Sequence, residues 1–235
     1  MNTLIAVLSY DGDAGNGSHD VIRETWGKDV AAAGADLRFF VGRRGPEFGP
    51  KRDEVCIPWQ QNRICSHPFY QSVEGCCEDF WQFLTKEIVR WGLNRNYDFT
   101  FLCENDTFLI PRKLMQSGFE KFDFCGAFRP TNIPLGERGS YEIYGHHLYA
   151  WPEPGVGYFV SEKAARVISN AQPDHWSVGM YAGQVLGPGV ESGEIKAMNF
   201  PDGISWHYRE VKQKGYTTPL SEGHEWMREM YRNAK

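Results

Sequence analysis

The chain has 235 residues, 41% of them hydrophobic and 23% charged, the make-up of a globular protein long enough for a real core, which excludes a disordered chain. A formal net charge of −5 argues against a broad, sequence-independent grip on nucleic acid, which rests on neutralising many phosphates. Six cysteines, at 56, 65, 76, 77, 103 and 125, form no CxxC pair; with no basic segment ahead of the short apolar run Leu4–Leu8, the expectation is free thiols and no zinc site, signal peptide or membrane anchor, in a cytoplasmic protein.

Residues 3–10 read as a first buried strand, with polar Asp11-Gly12-Asp13 just past its carboxyl end, where ligands bind in open α/β sheets. Ser18 is expected to N-cap a helix from about 19 to 28. DLRFFV at 36–41 reads as a second strand, and 55–58 as a third after a Gly/Pro-rich loop. Phe69, Val73, Cys76, Phe80, Phe83, Leu84, Ile88 and Trp91 recur at near-helical spacing and predict a helix over 70–91. A strand over 97–103 and another over 122–128 follow. Residues 129–150 show little periodicity and read as a long irregular loop of functional type. A turn and short strand at 151–160 lead to a helix opened by Ser161 and stopped by Pro173. A further helix over 176–186, a late strand over 194–200, and a helical tail complete the pattern. Strands alternating with helices indicate a layered α/β sheet in a single domain, 1–235.

Within that pattern, YDFTFLCENDTFL at 97–109 stands out. An apolar strand ends abruptly in Glu104-Asn105-Asp106, and a second apolar run, closed by Pro111, follows. Two carboxylates two residues apart at the end of a buried strand suit a hard divalent cation held against phosphate. The same residues also suit a polar turn.

Three other segments, IRETWG at 22–27, WPEPGVGYFVS at 151–161 and PDHWSVG at 173–179, set this motif in a context. In order and spacing the four resemble the β1,3-galactosyltransferase and Fringe group of inverting glycosyltransferases. That group carries an IRxTWG element, a DDD(T/V)F metal motif, a YPxYxxGxGYxxS segment and an (E/D)DVxxG segment. The resemblance spans roughly residues 20–180. It implies a GT-A fold: a Rossmann-type mixed α/β sheet flanked by helices, its nucleotide-sugar half roughly 1–110 and its acceptor half roughly 111–235. It also implies a nucleotide-sugar donor, UDP-linked, and Mn²⁺ (or Mg²⁺) at a DxD-like motif. The implied chemistry is hexosyl transfer by direct displacement at the anomeric carbon, with a base deprotonating the acceptor hydroxyl.

Carried over residue by residue, the resemblance places Asp106 on the last acid of the metal motif, as a ligand, and Glu104 on the first, touching the ribose or a metal-bound water. Asn105 replaces the middle acid, which removes a charge and keeps hydrogen-bonding capacity. Tyr10 and Asp11 either flank the nucleobase or form a simple turn. Arg23 matches the early element, with a structural ion pair as the alternative to a place at the cofactor. The catalytic base falls on His175 when the segments are aligned on Ser177-Val178-Gly179, and on Asp174 after a one-residue shift. A neutral histidine suits a general base near neutral pH. His207 matches the late histidine that related enzymes supply to the metal, or is a structural residue beside Trp206.

No residue sets the donor sugar or the acceptor, which is a saccharide, a protein or a hydroxylated base in modified phage-type DNA. The departures at Asn105 and His175 leave a second expectation, a catalytically degenerate GT-A domain that binds a sugar nucleotide or glycan without turnover.

Overall fold

The apolar run near the start forms β1, Thr3–Tyr10. Its side chains alternate between two cores: Leu4, Ala6 and Leu8 enter one, Ile5 and Val7 the other. A strand buried on both faces needs such an unbroken apolar run. The computed structural model of the chain describes residues 1–10, 17–43, 51–58, 77–129, 141–143, 146–153, 155–171, 178–201, 203–207 and 220–234.

Helix α1, Ser18–Glu24, is followed by 3-10 turns at Trp26–Asp29 and Ala31–Ala33, then β2, Asp36–Arg43, and β3, Glu54–Pro58. Helix α2, Cys77–Leu93, leads into β4, Phe99–Glu104, and the short β5, Thr107–Leu109. Helix α3, Pro111–Met115, precedes β6, Phe124–Gly126, and β7, Phe128–Arg129. Next come β8, Tyr141–Ile143, β9, His146–Leu148, β10, Trp151–Pro152, and β11, Tyr158–Ser161. Helices α4, Glu162–Asn170, and α5, Val178–Glu191, are followed by β12, Ala197–Asn199, β13, Ser205–His207, and the tail helix α6, Leu220–Asn233.

Among the described residues, seven strands make one sheet in the order β12-β6-β11-β4-β1-β2-β3. Strand β11 runs antiparallel to β4 and β6, and the remaining pairings are parallel. Helices α2, α4 and α5 cover one face through Leu84, Ile88, Ala165, Ile168, Tyr181 and Leu186. Helices α1, α3 and α6 cover the other through Val21, Ile22, Leu114, Trp226 and Met227, joined by Trp26 and Phe119. This is the expected mixed α/β architecture of the GT-A-like, Rossmann type. Among the described residues no helix is long and apolar enough to cross a membrane, and Cys56, Cys103 and Cys125 are free thiols.

Several local expectations are corrected. The predicted helix over 19–28 stops at Glu24, where the Thr25 backbone turns away at φ −104°, ψ −119°, its hydroxyl bonded to the Val21 carbonyl at 2.6 Å. Ser18 is not a cap. Gly17 takes the cap position at φ 89°, in the left-handed region that glycine tolerates, and the Ser18 hydroxyl meets His224 of α6 at 3.1 Å. The predicted strand over 122–128 is two strands, since β6 stays in the main sheet while β7 pairs with β10. Residues 129–150 are not wholly irregular: β8 pairs with β9, a pairing that leaves no periodic signal in so short a segment. Helix α5 continues through Pro188 to Glu191, beyond its expected end. The described part of α2 starts at Cys77, and residues 70–76 lie outside the described residues. The start of α4 is as read from the sequence, with the Ser161 hydroxyl accepting from the Ala164 amide at 3.3 Å.

Candidate active site

Strand order on one side of the sheet is β3-β2-β1, and it reverses at β4. Connections leave neighbouring parallel strands in opposite directions at such a point, which opens a crevice past their carboxyl ends. Leu8 of β1 is in register with Glu104 of β4. The Glu104-Asn105-Asp106 turn therefore lies beside the end of β1, where Ser9 and Tyr10 follow.

Asp106 is only 8% exposed, a low value for a carboxylate in a turn. Burial pushes the neighbouring Cys103 thiol well above its ordinary range, and the charges of Glu104 and Asp106 push it the same way. The two carboxylates flank one turn at the end of β4. Two such groups are the donor set that a hard divalent cation uses when substrate phosphates complete its shell. Among the described residues no group of three or more His, Cys, Asp or Glu gathers into a closed metal cage.

Long-range bonds hold the turn. The Trp26 indole donates to the Thr107 carbonyl at 3.0 Å, and the Thr107 hydroxyl donates to the Gly155 carbonyl at 2.7 Å. Three of the four segments singled out in the sequence thereby meet at the residue after Asp106. Beyond Gly155, Gly157 has φ +90°, and a Cβ there would stand 2.3 Å from Phe101 Cζ and 3.0 Å from the Leu102 carbonyl. Only glycine lets this backbone press against the end of β4. Strand β13 pairs with β5 so that His207 sits opposite Thr107, which brings its backbone next to the Asp106 turn.

Arg23 anchors a second cluster. Its Nε and Nη2 donate to the two oxygens of Asp53, both at 2.8 Å, Nη2 also reaches Glu54 at 2.8 Å, and Nη1 reaches Asp20 at 2.6 Å. The guanidinium stands 4.7 Å from the Phe39 ring centroid. Burial tends to lower its pKa, but these carboxylates outweigh it and raise it. The ion pair weighed from the sequence is present and ties α1 to β3. Beside it, His19 is 1% exposed and stacks on Phe39 with ring centroids 4.4 Å apart.

Glu104, Asn105 and Asp106 share one turn, with the backbone of His207 alongside. Arg23 belongs to the separate α1–β3 cluster. Tyr10 is the last residue of β1. Asp11, Asp174 and His175 lie outside the described residues, as do the side chains of Tyr10 and His207. Thr107, Ser9, His19 and Glu54 are not among the site residues the sequence motifs mark. His19 and Arg23 share a helical face at i, i+4, a legible signal; nothing local points to Thr107 as a brace.

No family model matches the chain, and no curated protein matches it. Its fold is that of a solved glycosyltransferase involved in the glycosylation of the major capsid of PBCV-1, with TM-score 0.52, 11% identity, and 96% of this chain and 98% of that one covered. Weaker likenesses are to A197 from STIV, with TM-score 0.41, 10% identity and coverage of 88% and 86%, and to HddC from Yersinia pseudotuberculosis, with TM-score 0.40, 11% identity and coverage of 76% and 83%.

Proposed function

We infer that the chain is a metal-dependent inverting glycosyltransferase that moves a sugar from a nucleotide-sugar donor, UDP-linked, to an acceptor hydroxyl. The observation that carries the reading is the meeting of the Glu104-Asn105-Asp106 turn with the end of β1 at the switch point of the sheet. The fold shared with a solved glycosyltransferase supports it.

In this reading the diphosphate lies past the ends of β1 and β4, with Tyr10 and Asp11 flanking the nucleobase and Glu104 nearer the ribose. Asp106, with His207 as a further candidate from β13, holds Mn²⁺ or Mg²⁺. When bound, the cation supplies positive charge to the leaving diphosphate. His175 or Asp174 takes the acceptor proton as the acceptor oxygen bonds to the anomeric carbon and the bond to the diphosphate breaks. Asn105 offers its amide where the family has an acid, so one fewer carboxylate faces the cation and the donor. The acceptor is a saccharide, a protein or a hydroxylated base in modified DNA; the PBCV-1 neighbour is described as acting in glycosylation of a capsid protein, which favours testing protein acceptors first.

A thermal-shift screen of UDP-, GDP-, dTDP- and CMP-linked sugars, with and without Mn²⁺, tests the reading. At least one donor is expected to raise the melting temperature only with the metal present. The absence of any shift across the panel would overturn the assignment. A shift without donor hydrolysis or transfer to any acceptor tried would favour a binding domain without turnover.

A further inference from the structure

A buried relay stands behind the end of β1. His19 Nε2 lies 2.6 Å from the Ser9 hydroxyl, and His19 Nδ1 lies 3.1 Å from Glu54 Oε1. Glu54 is held in turn by Arg23 and by the Lys51 backbone amide, which donates to Oε2 at 3.0 Å. One imidazole therefore links three elements: β1 through Ser9, its own helix α1, and β3 through Glu54. A carboxylate only accepts, so Nδ1 carries the proton toward Glu54 and Nε2 accepts from the Ser9 hydroxyl. The order of groups resembles a nucleophilic triad, but Ser9 is 0% exposed within a central strand, where no substrate reaches it. The relay acts on the fold. Ser9 directly precedes Tyr10, the last residue of β1, at the crevice assigned to the nucleotide.

We propose that His19 is a positioning residue for nucleotide binding, fixing the carboxyl end of β1 through Ser9 while Glu54 and Arg23 lock its own ring in place. The proposal rests on the reading that this crevice takes the nucleotide. A fixed strand end spares the protein the entropic cost of ordering that backbone when the ligand arrives. The groups facing the imidazole are Glu54 and Asp53 from the β3 side, Arg23 from α1, Ser9 from β1 and the Phe39 ring from β2.

The test uses the two amides that each imitate one ring nitrogen. Glutamine extends far enough to stand in for Nε2 and keep Ser9; asparagine stands in for Nδ1 and keeps Glu54. Binding of UDP, GDP, CDP and dTDP with Mn²⁺ is measured by calorimetry on the full chain, with melting temperature read in parallel. Taking the tightest nucleotide for the wild type, His19→Asn is expected to weaken binding about tenfold, the cost of one lost buried hydrogen bond, and His19→Gln to stay within about threefold of wild type on the same scale. Ser9→Ala, a mild change in a core, is expected to match His19→Asn, and the two losses together are expected not to add. Equal affinity for wild type, His19→Asn and Ser9→Ala overturns the proposal and leaves the nucleotide reading standing. Affinity that follows melting temperature across all variants, with glutamine no better than asparagine, also overturns it. A wild type that binds none of the four nucleotides overturns both.

Discussion

The indole nitrogen of Trp26 and the carbonyl oxygen of Thr107 are hydrogen-bonded at 3.0 Å, across 81 positions of sequence, with the ring fully buried. That bond joins the turn after α1 to the residue following Asp106. It puts the geometry of the carboxylate turn under the control of a distant core residue.

Trp26→Phe keeps a ring in the core but leaves the Thr107 carbonyl without this donor and opens a small void. A loss of about 2–3 kcal/mol in unfolding free energy is expected. Weaker Mn²⁺-dependent donor binding should accompany it. Denaturant titration and calorimetry check the two effects separately; a stability loss with unchanged donor binding would show that the bond serves the core alone.

Asp106→Ala should abolish Mn²⁺-dependent donor hydrolysis while circular dichroism and the melt remain those of a folded protein. Asp106→Asn should lose the metal dependence too, since an amide oxygen carries no charge. Full activity in either variant would remove Asp106 from the metal site.

Gly157→Ala places a methyl 2.3 Å from Phe101 Cζ on a backbone at φ +90°. Conformational strain and overpacking together predict about 3 kcal/mol of destabilisation. The measurement is the denaturation midpoint at constant m-value. A shift equivalent to less than about 1 kcal/mol would mean that the chain relaxes around this contact.

Arg23→Ala leaves Asp53 and Glu54 facing each other without their cation. A stability loss of about 2–3 kcal/mol is expected, as for a partly buried pair stripped of one partner. Arg23→Lys should recover only part of it, because an ammonium cannot reproduce the two-pronged contact with Asp53. Thermal melts of the three proteins at one ionic strength decide the order.

Stability should fall on acidification in two stages. Burial is the main influence on His19 and lowers its pKa below the ordinary 6.5, against the pull of Glu54. The unfolded chain then binds more protons than the folded one just below pH 6.5, so this contribution is complete above that pH and is lost as pH falls toward the folded value. Glu54 follows at lower pH: burial pushes its carboxyl up, but the Lys51 amide, Arg23 and His19 together outweigh it and hold it below 4.5. Its share is present above pH 4.5 and lost as pH falls through the lowered value. His19→Gln should remove the upper stage and shrink the lower one, because it also takes away the imidazole that helps hold the Glu54 carboxyl down; melts across the pH range read both.

Much of the frame was legible because it is written in local patterns. The apolar runs of β1 and β2, the spacing of Leu84 and Ile88 along α2, and the serine that caps α4 depend on neighbours a few residues away. The carboxylate pair at the end of β4 was visible as an abrupt change from apolar to acidic. Other features depended on partners far along the chain. Ser18 looked like a helix cap, yet its hydroxyl faces His224 on the tail helix. An ion pair is one of two readings of Arg23 in the sequence, and only the fold brings its partners Asp53 and Glu54 beside it.

By itself, then, the sequence determined which segments bury themselves on both faces and where the acidic turn falls, because burial and turn chemistry act over a few residues. Tertiary structure alone decided that β11 would enter the sheet antiparallel beside β4, that Trp26 and Gly155 would meet at Thr107, and that His19 would stand between Ser9 and Glu54. Those contacts are made by strand order and the packing of α1 against the sheet, and no local pattern encodes a bond whose two ends are brought together only when the whole sheet forms.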